Sequence, residues 1–335
     1  MKPSDKFKRP LRDLRISVTD RCNFRCTYCM PKEMFGRDYE FLPHDDLLSF
    51  EEIEQVARSF ASLGVNKIRL TGGEPLMRRD LESLISMLAN IPGVDDLAIT
   101  SNGSFSRERA SSLKEAGLTR MTVSLDALDD ETFMRMNDVD FPVARVLDWI
   151  DASSEVGLNP VKINMVVKRG VNEHAILPMA EYFKDSGHIL RLIEYMDVGH
   201  SNGWRLDDVV SAQEMHDLIN AEMPIEPAEA NYQGEVAKRY RYLDGAGEIG
   251  MISSVTQPFC GDCSRARISA DGKLYTCLFA IGGKDLRSLI RSGASEEELS
   301  AAISSVWSKR EDRYSELRSA QTQDLPKVEM SYIGG

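Results

Sequence analysis

The sequence predicts an α/β fold in the form of a partial barrel with an open, polar lumen. Strand-like and helix-like segments alternate from residue 14 to about 222. Each strand-like segment has one apolar face and one polar face. After about residue 225 the alternation stops and glycines and prolines break up the chain.

The strand-like segments are Leu14–Val18, Lys67–Thr71, Asp96–Thr100, Arg120–Asp126, Val161–Val167 and His188–Met196. Between them, Phe50–Leu63 carries Ile53, Val56, Ala57, Phe60 and Leu63 at helical spacing. Further helices are expected at Asp80–Asn90, Arg107–Ala116, Val143–Val156 and His174–Lys184. Such a run of βα units reads as parallel strands covered by helices, in an open Rossmann-like sheet or part of a barrel.

Side-chain parity separates the two, because residues i and i+2 of a strand share a face. Ile16 and Val18 oppose Arg15, Ser17 and Thr19, while Ile68 and Leu70 oppose Lys67, Arg69 and Thr71. Met121, Val123 and Leu125 oppose Thr122, Ser124 and Asp126, and Val161, Ile163 and Met165 oppose Lys162 and Asn164. A doubly wound sheet, covered on both faces, reads as nearly continuous apolar runs. A polar second face indicates a curved sheet around a wet, cationic cavity. A half-exposed antiparallel sheet alternates in the same way, but the interposed helices argue against it.

The expected division is a partial barrel over 1–224 and a smaller C-terminal region over 225–335. The latter ends in a charged helix, roughly Ser295–Leu317, and a tail, Ser331–Gly335, that reads as exposed.

The 335 residues are 42% hydrophobic and 28% charged, which suits a globular chain with a full core. No apolar run approaches the roughly 18 residues of a membrane span. The N-terminus has charge but no apolar stretch of the secretory kind. A net charge of -12 argues against a general nucleic-acid binder. The six cysteines form two triplets, Cys22, Cys26 and Cys29, then Cys260, Cys263 and Cys277. Six could pair in 15 ways, but a long chain without a secretory leader has little need of staples. Thiolate metal ligands in a reducing, cytoplasmic setting are the better reading.

The first triplet has C-x3-C-x2-C spacing in the loop after the first strand, with Tyr28 just before Cys29. Three thiolates hold three irons of a [4Fe–4S] cube and leave the fourth open. Structural zinc needs four ligands, and the nearest histidine is His44. With this motif the chain resembles the radical S-adenosylmethionine superfamily. The resemblance extends to Gly72-Gly73-Glu74-Pro75 after the second strand, where glycines let backbone approach a ligand. It implies cofactor contacts at Tyr28, Gly73, Ser124 and Met196.

The second triplet joins Cys260-Gly261-Asp262-Cys263 to Cys277 across a hairpin. Asp271-Gly272 is expected to form a two-residue type I′ turn, setting Cys277 opposite Ala266. The three thiols could share a second cluster or, with a distant fourth ligand, zinc. Arg265 and Arg267 lie two apart on one face, suiting an anion or purine.

Over nearly its whole length the chain resembles the MoaA family, the GTP 3′,8-cyclases of molybdenum cofactor biosynthesis. The carrying segments are Leu14–Asn23, the Gly72–Pro75 stretch, Thr100-Ser101-Asn102-Gly103, Val123–Asp126, Phe259–Cys263 and the terminal Gly334-Gly335; the stretch Asn202–Gln233 is the least family-like. The resemblance implies an incomplete (β/α)6 barrel of the radical SAM type and a C-terminal region with a second iron–sulfur cluster. It implies a lyase with two [4Fe–4S] clusters and S-adenosyl-L-methionine. A 5′-deoxyadenosyl radical takes the 3′ hydrogen of GTP, giving (8S)-3′,8-cyclo-7,8-dihydroguanosine 5′-triphosphate. Further implications are MoaC as the downstream enzyme, an unidentified electron donor, a possible homodimer and a diglycine tail that reaches the active site. GTP contacts fall on Arg15, Lys67, Arg69, Thr100, Lys162, Arg191, Arg265 and Arg267, and no side chain is cast as general acid or base. Two other readings use the same cluster motif: a radical SAM peptide-modifying enzyme with one auxiliary cluster, and a non-enzymatic iron–sulfur sensor.

Overall fold

A computed structural model describes residues 2–318 and 325–335. Its centre is a run of parallel strands, each followed by a helical connection. The strands are β1 (Asp13–Ser17), β2 (Lys67–Thr71), β3 (Asp96–Ser101), β4 (Arg120–Ser124), β5 (Lys162–Val167) and β6 (Ile189–Glu194). They lie in sequence order, each parallel to the next. The covering helices include α1 (Phe50–Ser62), α2 (Leu81–Ala89), α3 (Arg107–Glu115), α4 (Asp130–Asn137), α5 (Val143–Glu155), α6 (Ile176–Lys184) and α7 (Ala212–Glu222). Reciprocal Ser49–Glu52 and Ser211–Glu214 capping boxes start α1 and α7, satisfying amide donors at the helix ends. The short α4 escaped the periodicity reading; Asp129 caps its Thr132 amide.

The parity pattern sets the layers. Leu14, Ile16, Ile68, Leu70, Met121, Val123, Ile163 and Met165 are buried beneath the helices. The opposite face lines the lumen.

The barrel does not close. Strands β7 (Ile225–Ala228), β8 (Lys238–Tyr242) and β9 (Glu248–Ile252) form an antiparallel run that joins β6 through a parallel β6–β9 pair. At the other edge β10 (Arg265–Ile268) lies parallel to β1, followed by β11 (Lys273–Tyr275), β12 (Lys284–Asp285) and the short helix α8 (Arg287–Arg291). Strands from the last third of the chain thus flank both edges of the six-strand wall.

Three expectations for this region are corrected. The β10–β11 connection is not a type I′ turn: Arg267 pairs with Tyr275 and Ile268 with Leu274, and the Ser269 amide closes on the Lys273 carbonyl at 2.9 Å. Three residues form the loop, and Gly272 has a positive φ of 83° while Asp271 does not; a type I′ turn needs both. The register shifts by one, so Cys277 falls level with Arg265 rather than Ala266. One residue of slip exchanges faces, which puts Cys277 on the lumen side. Second, the charged helix is two pieces, α9 (Glu296–Ser308) and α10 (Tyr314–Leu317), because Arg310 between them turns inward. Third, the tail is not exposed. Ser331 and Ile333 of α11 (Met330–Ile333) are buried.

Candidate active site

One cavity of about 2290 Å³, including its open mouth, occupies the lumen. All six cysteines line it, as do Tyr28, Gly73, Ser124 and Met196. So do Arg15, Lys67, Arg69, Thr100, Lys162, Arg191, Arg265, Arg267 and Gly335.

The first cysteine loop leaves the end of β1 and is fastened to its neighbours backbone to backbone. The Gly73 amide donates to the Thr19 carbonyl and the Glu74 amide to the Arg21 carbonyl, each at 2.8 Å. A Cβ on Gly73 would collide with the Arg21 backbone, so only glycine permits this approach. The Arg25 and Thr27 amides donate at 2.9 and 3.0 Å to Asn137 and Met136, carbonyls at the end of α4. Tyr28 donates its hydroxyl to Asp126 at 2.9 Å, and the other Asp126 oxygen accepts from the Val166 amide at 2.9 Å. Glu74 accepts from the Leu76 and Asn102 amides at 3.0 and 2.7 Å, tying the β2 loop to the β3 loop. Burial pushes both carboxyls up to about 7. Burial also pushes Cys22 up to about 12, and raises Cys26 and Cys29.

The second cysteine site lies across the cavity. The Cys263 amide donates to the Cys260 carbonyl at 3.2 Å, closing a tight turn. Arg265 Nη2 and Arg310 Nη2 stand 3.4 and 3.2 Å from Cys263 Sγ. Burial works against the thiolate there, but the Arg265 and Arg310 charges outweigh it and bring Cys263 down to about 6. Cys277, level with Arg265, is raised by burial to about 12.

Between the thiol sites lies a band of cations with few carboxylates. Arg69 Nη1 donates to Thr100 Oγ1 and Thr122 Oγ1 at 2.8 and 2.9 Å, both uncharged partners. Arg191 reaches Thr122 Oγ1 at 3.4 Å, and its Nε and the Asn164 Oδ1 are buried with no hydrogen-bond partner among the described residues. Burial, then neighbouring guanidiniums, lower Arg15 and bring Arg191 and Arg267 down to about 9. Burial, then Arg191 and Arg120, bring Lys162 down to about 7. A guanidinium does not give up its proton in a protein, so such a band calls for a bound anion. Lys67 differs: it meets Asp13 and Asp96 at 3.5 and 3.9 Å and donates to the Tyr232 hydroxyl at 2.6 Å.

The tail reaches this band. Arg267 Nη1 donates to the Gly334 carbonyl, and a Cβ on Gly334 would strike the Thr71 side chain.

Sequence reasoning missed Arg120, Tyr232, Glu235 and Arg310, all of which line the cavity. Parity held the signal for Arg120, two residues before Thr122 on the same face. Tyr232 and Glu235 lie in a stretch with no periodicity, and Arg310 sat inside an expected helix.

The donor chemistry fits iron–sulfur clusters. Each triplet offers three sulfurs, all free of disulfides. Among the described residues no three His, Cys, Asp or Glu side chains converge on a single-ion position. Three sulfurs without a fourth side-chain ligand suit a four-iron cube with one open iron better than structural zinc. No helix of the described residues is long and apolar enough to cross a membrane.

An incomplete parallel barrel, with a three-cysteine loop after β1 at the mouth of its lumen, defines a radical S-adenosylmethionine protein. The family profile for that superfamily matches residues 16–183, and the profile for Molybdenum Cofactor Synthesis C matches 188–316. Superfamily membership brings one [4Fe–4S] cluster and S-adenosylmethionine. Crystalline SuiB of Streptococcus suis, bound to S-adenosylmethionine, shares the fold with a TM-score of 0.61 at 15% identity, covering 95% of this chain and 73% of that one. The chain is 52% identical to the GTP 3′,8-cyclase of Acidothermus cellulolyticus, covering 99% of this chain and 98% of that one. It is 50% identical to the Staphylococcus aureus enzyme of the same name, with the same coverage. The chain belongs to the GTP 3′,8-cyclase family.

Proposed function

We propose that this chain is a radical SAM GTP 3′,8-cyclase that forms (8S)-3′,8-cyclo-7,8-dihydroguanosine 5′-triphosphate at the start of molybdenum cofactor biosynthesis. The observation that carries the reading is the band of buried cations with few carboxylates in one cavity with two three-thiol sites.

Cys22, Cys26 and Cys29 hold the first cluster; Cys260, Cys263 and Cys277 hold the second. The clusters with S-adenosylmethionine supply one-electron, hydrogen-abstracting chemistry when bound. Tyr28, Gly73, Ser124 and Met196 place that cofactor at strand ends, where barrels carry their chemistry. Arg15, Arg69, Lys162 and Arg191 bind the triphosphate as charge-assisted donors, with Thr100 orienting Arg69. Arg265 and Arg267 face the nucleotide from the second site, and Lys67, paired with Asp13 and Asp96, contributes least charge. The product passes to an enzyme of the MoaC type.

The test is turnover by the anaerobically reconstituted chain with S-adenosylmethionine and a reductant. 5′-Deoxyadenosine and the cyclised nucleotide form together when GTP is added. Turnover indifferent to GTP points to peptide modification, and no turnover with full iron content points to a sensor.

A further inference from the structure

We infer that Arg310 is a positioning residue of the second thiol site: it holds the Cys263 turn in place and raises the reduction potential of the cluster bound there. The inference rests on the two-cluster reading above.

Its guanidinium is used on every side. Nη2 donates to Cys263 Sγ at 3.2 Å and Nη1 to the Cys263 carbonyl at 2.6 Å. Nη1 also faces Asp5 at 3.4 Å, and Nε faces Asp312 at 3.3 Å. The Arg310 and Asp5 side chains are 2% and 0% exposed. The plane lies over the Trp307 ring, 4.6 Å from its centroid. The backbone is pinned as well, since the Lys6 amide donates to the Arg310 carbonyl at 3.3 Å.

A second arginine completes the frame. Arg9 Nε pairs with Asp5 at 2.5 Å, while its Nη1 donates to the carbonyls of Cys260 and Asp312 at 2.7 and 2.9 Å. Asp5, Arg9, Arg310 and Asp312 sum to zero formal charge. Asp312 also accepts from the Thr276 hydroxyl at 2.6 Å, next to Cys277. The frame therefore touches the chain at each of the three thiols and draws on both ends of the sequence.

Hydrogen bonds to cluster sulfurs and nearby charge tune cluster potentials. Reduction adds one negative charge to a cluster, so an N–H aimed at a ligating sulfur favours the reduced form. Arg310 supplies that N–H within a neutral frame. Removing its charge takes away the donor and leaves Asp5 and Asp312 in excess by one beside the sulfur. Arg265 also donates to Cys263, but from the lumen wall, where it faces the nucleotide.

The experiment uses the full chain with Cys22, Cys26 and Cys29 replaced by alanine, reconstituted anaerobically so that only the second site loads. Iron content is measured first, then the midpoint potential by electron paramagnetic resonance during reductive titration. About four irons in this background support the two-cluster reading, and none overturns that reading itself. With iron present, Arg310→Gln lowers the midpoint, Arg310→Lys lowers it less, and adding Asp312→Asn to Arg310→Gln recovers part of the shift. An unchanged midpoint in Arg310→Gln with iron retained overturns the inference. Loss of iron from both single variants overturns the claim on the potential and leaves Arg310 a support of the Cys263 turn alone.

Discussion

The leading charged neighbours of Cys22, Cys26 and Cys29 are the carboxyls of Glu74, Asp126 and Glu329, alongside other thiols, whereas those of Cys263 are the guanidiniums of Arg265 and Arg310. The fastenings differ in kind too. The first loop is fastened by backbone amides and carbonyls from the Gly73-Glu74 turn and the end of α4, with Tyr28 and Arg25 adding side-chain bonds from within the loop; the second is held by arginine side chains reaching in from distant segments. Loading either site must expel protons from thiols that burial holds neutral, Cys277 included, and only Cys263, beside its two arginines, is brought down to about 6. At the first loop the side chain at a sulfur is neutral, Asn102 Nδ2 at 3.9 Å from Cys22 Sγ, whereas at Cys263 both are guanidiniums. On the proposed reading, Arg265 serves both the Cys263 sulfur and the nucleotide.

The largest effect that sharpens this contrast comes from replacing Cys22, Cys26 and Cys29 with alanine. Iron falls from about eight to about four per chain, and cleavage of S-adenosylmethionine stops. A wild-type chain that never exceeds four irons breaks the two-site picture. Next comes the tail. Deleting Gly334 and Gly335 abolishes cyclisation while leaving iron content and GTP affinity nearly unchanged, and Arg267→Ala, which loses the Gly334 contact, lowers product formation in the same direction. A truncated chain that cyclises at the wild-type rate shows the tail to be a packing element only. Adding the tail peptide in trans separates local action from support of the fold, since partial rescue requires the former.

The smallest effect concerns the band between the sites. Lys162 is depressed to about 7 in the free protein, chiefly by burial and then by Arg191. A bound triphosphate holds it protonated, so GTP binding takes up a proton above pH 7. Affinity falls by up to about tenfold per pH unit above 7, and Lys162→Met removes that slope. The sign for stability is opposite to that of a salt-bridged lysine. The unfolded state binds more protons between about 7 and 10.5, so this lysine's contribution to stability improves as pH rises through that window. Calorimetry in buffers of different ionisation enthalpy measures the proton uptake, and an uptake of zero at pH 8 refutes the assignment.

Most of the wall was legible because parallel βα units impose two clear periods. Ile68 and Leu70 against Lys67 and Arg69 was enough to orient β2, and the same reading put Arg15 and Lys162 in the lumen. What stayed illegible has no local period. Arg310 works by leaving a helix that its neighbours favour, and its partners Asp5 and Cys263 lie 305 and 47 positions away. Asp271-Gly272 is a strong turn signal, but the dipeptide does not fix loop length. The Ser269 side chain accepts from the Lys273 amide at 2.9 Å and secures the three-residue form. The buried tail was legible only through resemblance, because Tyr332-Ile333-Gly334-Gly335 alone reads as a frayed end.

The pairing of β1 with β10 also has a consequence during synthesis on the ribosome. Asp13 finds its partner Arg265 only after 252 further residues have been made. At about 5–20 residues per second, β1 keeps one unpaired edge for roughly 13–50 s, a period in which exposed strand edges invite aggregation. The second thiol site waits longer still, since its frame includes Arg310 and Asp312. The contacts that hold the first triplet, from Gly73 to Asn137, are all made of residues translated long before that frame.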